Sequence, residues 1–467
     1  MFLFLAGCGM TVNIVRTWQR GSVMKLSLLV AGSLGIVVLQ ASHGTGVAQS
    51  QLSDLSPMPA AKYITDAFDR HPLVAFSEPR HGASGTKEFL ASLIRQPGFA
   101  EKVNDIVVEF GNSRYQDVVD RYNSGEPVAH DQLKQAWENT TVATSVWLAP
   151  MYEDVLREIR AVNRSLPPSR RIRVLLGDPP IDWSVVRGPA DEDMNDWRDA
   201  HFAWVVEEQV MKRGRKALIW IGGAHVSRGV MFPESLIHLL DRRFPNKTLV
   251  VVAVDPREVE PQVSARLRNW PSMSAAPVRD TWLGRLNARA IGFQLSTDIV
   301  ERNIDAALFW ESVSDASDEA PRLDVASPIG VELERRRQLS ESTLAFRGGK
   351  IRFEAGTTSL SSESEAPLRT VLAELRRDSG LTLLVKAFAD AREQDGAQLS
   401  LERAKVVVNW LTARGIAPER LVAKGCGSSR ALWFGHTEQE RAANRRAELV
   451  RRSKWEACEP PSSYEFQ

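Results

Sequence analysis

The chain has 467 residues, more than one ordinary hydrophobic core accommodates, so two or more domains are expected. A formal net charge of +1, with 25% charged and 43% hydrophobic residues, is a soluble globular composition and excludes a nucleic-acid binder that works through overall positive charge. The three cysteines, Cys8, Cys426 and Cys458, form no CxxC pair or His/Cys cluster, so no structural zinc site is expected.

Residues 1–48 read as a targeting segment. From Met24, MKLSLLVAGSLGIVVLQ sets one lysine before an apolar run too short to span a bilayer comfortably, and Gly46 and Ala48 follow as a small-x-small pattern. This is the pattern of a secretory signal, with Met24 the expected start. Leu5-Ala6-Gly7-Cys8 has the look of a lipobox, but no basic residue precedes it.

Residues 55–325 alternate. Short Val/Ile/Leu-rich runs stand at 73–76 (LVAF), 106–108 (IVV), 172–176 (IRVLL), 217–221 (ALIWI) and 248–254 (TLVVVAV), separated by helical periods such as EFLASLI, APMYEDVLREIRAV and FAWVVEEQVM. Strands apolar on both faces and separated by helices predict an α/β domain, with a mostly parallel sheet flanked by helices. Just past the runs stand Glu78 and His81, Glu109, Gly177-Asp178, Gly222-Gly223-Ala224-His225, and Asp255. In open α/β sheets ligands bind beyond the carboxyl ends of the strands. Glu78, His81, Glu109 and His225 are therefore expected at one rim. Asp178 before two prolines reads as a turn cap, and His201 on a helical stretch could also face the site.

Residues 326–347 follow a polar stretch rich in Ser, Asp and Pro and read as a linker, with VELERRRQL a short charged helix. Residues 348–453 then restart as strand and helix in turn: KIRFEAGTTSL, EAPLRTVLAELRRD, LTLLVKAFADA, LERAKVVVNWLTARG, RLVAKGCG, TEQERAANR and RAELVRR. This predicts an α+β sandwich of β-α-β-α-β-α-β order. Ser400 is expected as a helix N-cap, Ala404, Val407, Val408 and Leu411 as the buried stripe, and Gly415 as the residue that ends the helix. Residues 454–467 form a tail. An exported chain permits a Cys426–Cys458 bridge, but two cysteines alone do not establish one.

The order FEAGTTSL, LLVKAFADA, LSLERAKVVVNWLTARGI, RLVAKGCGSS and ERAANRRAELV resembles the OmpA-like peptidoglycan-binding domain, most specifically in LSLERA followed by NRRAE. The resemblance implies that Asp390 meets the ammonium of a peptidoglycan stem peptide and Arg403 its carboxylate, with Asn444 and Arg445 nearby. The chemistry is apt, since a zwitterion calls for a carboxylate and a guanidinium fork. A plainer reading makes Asp390 and Arg403 a surface ion pair of little consequence. The segment between them is shorter than usual, and Ala387-Phe388-Ala389 replaces the usual Gly-His before Thr-Asp. The choice between amidated and free stem peptide is therefore left open. Peptidoglycan binding implies a periplasmic or outer-membrane-associated protein.

More faintly, SEPRHG, VEFGN, DRYNSG, WRDAHFA and IWIGGAHVSRG resemble the erythromycin-esterase-like group, within a wider set that includes the ChaN haem-binding lipoproteins and the Tiki proteases. The resemblance implies an ester, lactone or amide hydrolase. His81 would be the general base, oriented by Glu78; Glu109 and His225 complete the constellation, and Arg80 and Arg198 would stabilise an oxyanion or hold a substrate carboxylate. The same Glu78, His81, Glu109 and His225 could instead bind a divalent metal, or the domain could bind haem or a partner without catalysis. The plainest alternative is a Glu78–Arg80 ion pair with histidines satisfied by backbone.

Overall fold

The computed structural model describes residues 13–14, 27–32, 35–40, 54–78, 80–82, 85–142, 144–186, 198–226, 228, 235–293, 298–310, 324–347, 351–429, 437–451 and 458. The candidate lipobox cysteine Cys8, the expected start Met24, and Gly46 and Ala48 lie outside these residues. The chain divides into Met1–Leu52 and Ser53–Gln467. In the first unit, β1 (Asn13–Ile14), β2 (Ser27–Gly32) and β3 (Gly35–Gln40) pair in antiparallel order, with Val30 opposite Val37. The apolar run expected as a signal core thus takes up the β2–β3 pair. Among the described residues no helix is long and apolar enough to cross a membrane.

In the second unit, β4 (Met58–Pro59), β5 (Leu73–Ser77), β6 (Asp105–Asn112), β7 (Arg173–Asp178), β8 (Ala217–Trp220), β9 (Thr248–Val254), β10 (Ser274–Pro277) and β11 (Ala306–Phe309) form a sheet in the order β4-β10-β11-β9-β5-β8-β6-β7. From β11 to β7 every pairing is parallel, whereas β10 and β4 add an antiparallel edge. The five apolar runs are β5 to β9, as expected. Side chains alternate between two cores. Val74, Phe76, Ile106, Val108 and Leu218 pack on one face with the helices Thr86–Ile94 and Pro150–Ser165. Leu73, Ala75, Val107, Leu175 and Ile219 pack on the other with Arg198–Gln209 and Leu236–Arg243. Burial on both faces is why these strands read as unbroken apolar runs rather than alternating ones. The carboxyl ends of β5, β8 and β6 are neighbours, and this adjacency builds the rim.

The expected linker contains a helix, Pro328–Arg347, that is tied to the α/β domain. Arg336 is buried and donates to Glu138 O (2.7 Å) and Asn139 Oδ1 (2.6 Å), while its guanidinium lies 5.0 Å from the Trp183 ring centroid.

The C-terminal domain has the expected alternation. Strands β12 (Ile351–Arg352), β13 (Leu383–Ala387), β14 (Leu421–Gly425) and β15 (Arg446–Arg451) lie in the order β12-β15-β13-β14, with β13 and β14 parallel and the other pairings antiparallel. Helices Glu365–Arg377 and Gly396–Thr412 cover the core through Leu368, Val371, Ala404, Val407 and Leu411. Val408, expected in the buried stripe, is only partly buried. Ser400 is not the N-cap: the helix begins at Gly396, and Ser400 is buried within it, accepting a hydrogen bond from Gly427 N (2.8 Å). Gly415 takes a positive φ of 92° just past the helix end, a conformation glycine adopts without Cβ strain.

Cys426 and Cys458 form a disulfide, with Cα atoms 5.4 Å apart and 32 residues of separation. It holds Cys458 beside the end of β14. Closing a loop of that length stabilises a fold by about 3–4 kcal/mol in the chain-entropy account. Reduction, or Cys458→Ala, is expected to lower the denaturant midpoint of the C-terminal transition correspondingly. An unchanged midpoint under reducing conditions would show that the bridge contributes nothing.

Candidate functional site

The rim of the α/β sheet is built around a buried acid. β6 pairs regularly with β8 up to Val108–Trp220, and its register with β7 shifts between Val108 and Asn112. Glu109 lies in that irregular stretch. Its Oε2 accepts from Gly222 N at 2.6 Å, and its Oε1 lies 3.2 Å from Arg198 Nη2 and 3.5 Å from His225 Nε2. Burial works to raise its pKa, but the cations of His225, Arg198 and His81 hold it far below the usual carboxylate range. Gly222 must lack a side chain here, because a Cβ would stand 2.9 Å from His81 Cε1 and 3.1 Å from Glu109 Oε2.

His81 reaches this acid from β5. The turn after Glu78 closes through Gly82 at a φ of 71°. It brings His81 Nδ1 to 2.9 Å from Glu78 Oε1 and Nε2 to 3.8 Å from Glu109 Oε2. The imidazole packs edge-on against Trp147, 4.6 Å between centroids. Tyr152 Oη donates to Glu78 Oε1 (3.4 Å) and accepts from Gly82 N (3.0 Å), locking acid and turn together. Burial pushes Glu78 up. Burial also works to lower His81, but the Glu78 hydrogen bond and the charges of Glu109 and Glu78 outweigh it, so His81 is raised. His81 is the open member of the cluster, with its side chain 33% exposed, against 17% for His225, 13% for Arg198 and 5% for Glu109.

A second dyad closes the other side. His225 Nδ1 lies 2.9 Å from Asp199 Oδ1, which also accepts from Leu236 N at 2.7 Å. Burial opposes the charge on His225, but Asp199 and Glu109 raise its pKa to about 10. Arg198 donates through Nε to Asp178 Oδ1 (2.8 Å), and Asp178 in turn accepts from Thr141 N (2.6 Å) and Thr141 Oγ1 (2.8 Å). The rim thus places a protonatable His–Glu dyad opposite a fixed guanidinium and an imidazolium. That arrangement can activate water on one side and stabilise a developing oxyanion on the other.

Of the residues expected from sequence, Glu78, His81, Glu109, His225 and Arg198 come together. Arg80 does not: it is exposed, and among the described residues no hydrogen bond or ion pair joins it to the cluster. His201 is buried with Nδ1 2.7 Å from Gly177 O, and its pKa falls to about 4 because burial disfavours the cation. Asp255 pairs with Arg257 instead. Sequence reasoning missed Asp199 and Tyr152 and undervalued Asp178. Asp178 had a signal, its place at a strand's carboxyl end. Among the described residues no group of three or more His, Cys, Asp or Glu is arranged to hold a metal ion, and the Arg198 guanidinium stands against Glu109 Oε1.

The C-terminal domain has its own cleft, of about 730 Å³, lined by Asp390, Arg392, Glu393, Glu438, Arg441 and Arg445 among others. Asp390 is buried, and its Oδ2 accepts from Asn444 Nδ2 at 3.0 Å. Arg445 Nη2 donates to Glu438 Oε1 (2.6 Å) and its Nε to Phe353 O (3.3 Å). Arg403 is fully buried and pairs with neither solvent nor Asp390. Its Nη1 and Nη2 donate to Glu393 Oε2 (2.7 Å) and Oε1 (2.6 Å), and its remaining donors reach Thr357 O, Phe388 O and Glu354 O.

Residues 352–446 match the OmpA family. Over 114 residues the chain is 31% identical to the peptidoglycan-binding protein ArfA of Mycobacterium tuberculosis, a match covering 24% of this chain and 35% of that protein. The chain therefore spans about a third of the length of the curated relatives it matches. A crystal structure of a MotB-like protein from Desulfovibrio vulgaris aligns at 30% identity with a TM-score of 0.20, covering 22% of this chain and 71% of that one. The peptidoglycan-associated lipoprotein of Burkholderia pseudomallei aligns at 25% identity with a TM-score of 0.21, covering 21% and 86%. The C-terminal domain is thus an OmpA-family domain with peptidoglycan-binding relatives.

His225 supplies a direct check on the rim. Because its folded pKa lies above the ordinary value of 6.5, its stabilising contribution is complete below that pH and is lost as pH rises through about 10. Asp199→Asn is expected to bring the His225 titration down in an NMR titration. A His225 that titrates near the ordinary value in the unchanged chain would remove the imidazolium from the site.

Proposed function

We propose that this chain is an exported cell-envelope protein, periplasmic or outer-membrane-associated. It binds the peptidoglycan stem peptide through residues 348–453 and carries a hydrolytic site in residues 55–325. The observation that carries the first part is the OmpA-family match over residues 352–446, together with a cleft lined by a buried, hydrogen-bonded Asp390. Asp390 meets the ammonium of the stem peptide. Asn444 fixes the carboxylate through one oxygen, and the side chain borders the cleft, so the cation is received without reorganising the acid. Purified full-length chain is expected to co-sediment with isolated peptidoglycan. Asp390→Asn removes a charge-assisted hydrogen bond and should weaken binding about ten- to a hundredfold. Equal retention of wild type and Asp390→Asn would sink this role for Asp390, and no retention of either would sink peptidoglycan binding.

The hydrolytic reading rests on the Glu78–His81 dyad at 2.9 Å, open on one side and faced by Arg198 and His225 across Glu109. His81 takes a proton from water, Glu78 holds the imidazole in orientation, and the cations receive the negative charge that develops on an ester, lactone or amide carbonyl oxygen. The base must be unprotonated, so turnover should rise with pH through a value above the ordinary histidine 6.5, following the raised His81. On a panel of esters and lactones, His81→Ala should cost at least about a hundredfold in kcat/KM with the fold intact by circular dichroism. Absence of turnover in the wild-type chain across the panel would leave the rim as a binding surface without catalysis.

A further inference from the structure

A ligand carboxylate calls for a guanidinium fork, and Arg403, the residue expected to supply it, does not offer a free one. A guanidinium carries five N–H donors. In Arg403 all five are engaged: by Glu393 Oε1 and Oε2, and by the carbonyl oxygens of Thr357, Phe388 and Glu354. Glu393 is equally committed. Besides the Arg403 fork it accepts from Gly356 N (2.8 Å) and Asp390 N (2.9 Å), so four N–H groups converge on one carboxylate. These donors hold its pKa below the usual range against the opposing effect of burial. The bidentate geometry is the one an external carboxylate would adopt. It is supplied from within, by the residue three positions past Asp390 in the shortened loop.

The cleft outside this pair is left acidic. Of its charged lining residues outside the pair, Asp390, Asp395, Glu402 and Glu438 outnumber Arg392, Arg441 and Arg445. Arg441 and Arg445 both donate to Glu438. A ligand entering here meets Asp390 for its ammonium, but its carboxylate would face Glu393 rather than Arg403. A ligand carboxylate finds no fork of Arg403 to accept it, and the fork cannot be vacated without leaving Glu393 uncompensated.

We propose that Glu393 is a built-in substitute for the ligand carboxylate, and that it makes the cleft select a stem peptide whose diamino acid carries an ammonium beside a carboxamide over one with a free carboxylate. The inference rests on the peptidoglycan-binding reading and specifies its ligand. The neutral amide brings no charge to the Glu393 side of the cleft, while Asp390 still receives the ammonium.

The test is calorimetric titration of the full chain with two diaminopimelate-containing tripeptides, identical except that the side-chain carboxyl is amidated in one and free in the other. Wild type should bind the amidated peptide at least tenfold more tightly. Glu393→Gln keeps the shape of the side chain but removes its charge, and should narrow or invert that ratio, with thermal melting confirming a folded C-terminal domain. If Glu393→Gln fails to fold, the wild-type ratio decides alone. Equal affinity, or preference for the free carboxylate in wild type, would overturn the assignment of Glu393 while leaving peptidoglycan binding standing. Binding of neither peptide, together with no co-sedimentation with intact peptidoglycan, would instead defeat the underlying reading.

Discussion

The α/β site depends on one buried negative charge. Glu109 sits at the end of a strand enclosed on both faces, where an isolated carboxylate would be driven to protonate. It stays ionised because three elements converge on it: the backbone after β8 through Gly222 N, a helix through Arg198, and the turn after Gly222 through His225. Each partner is thereby positioned by the acid as much as the acid is by them. Both dyads of the rim, Glu78–His81 and Asp199–His225, are aligned toward this charge.

The support behind that charge extends to the interdomain helix. Arg198 leans on Asp178, Asp178 is held by Thr141, and Trp183 Nε1 donates to Thr140 O. One turn of chain earlier, Glu138 O and Asn139 Oδ1 accept from Arg336 of helix Pro328–Arg347. Asn112, three residues beyond Glu109, bonds to Asn139 O and Ile181 O. The segment that leads to the C-terminal domain is thus fastened to the loop that buttresses the rim. A polar composition suited to a linker is compatible with this, because the fastening runs through guanidinium groups and backbone carbonyls rather than an apolar face.

The C-terminal domain solves a similar problem in the opposite sense. Arg403 is a buried cation, and it is compensated completely within the domain. A buried charge lacking one partner is strongly destabilising. The Glu393 pairing therefore stabilises the domain and occupies the fork. Asp390 differs: its hydrogen bonds come from Asn444 and a backbone N–H, and it borders the cleft with its charge uncompensated by a fork.

Sequence by itself determined the architecture. Doubly buried strands announce themselves as runs of Val, Ile and Leu, and in a parallel sheet the residue after each run must stand at one rim, so Glu78, His81, Glu109 and His225 were legible before any coordinates. The alternation of the C-terminal domain was legible from periodicity, whereas Asp390 and Arg403 were pointed to by the resemblance to the OmpA-like domain. Partner choice was not. Only the tertiary structure decided that Arg80 faces solvent while Arg198 turns inward, that Asp178 supports the site rather than capping a turn, that Ser400 lies inside its helix, and that Arg403 pairs with Glu393 rather than Asp390. Linear spacing sets which face of the sheet a residue reaches. Which opposite charge it meets depends on how strands far apart in the chain are ordered side by side, and on which groups burial forces to find a partner.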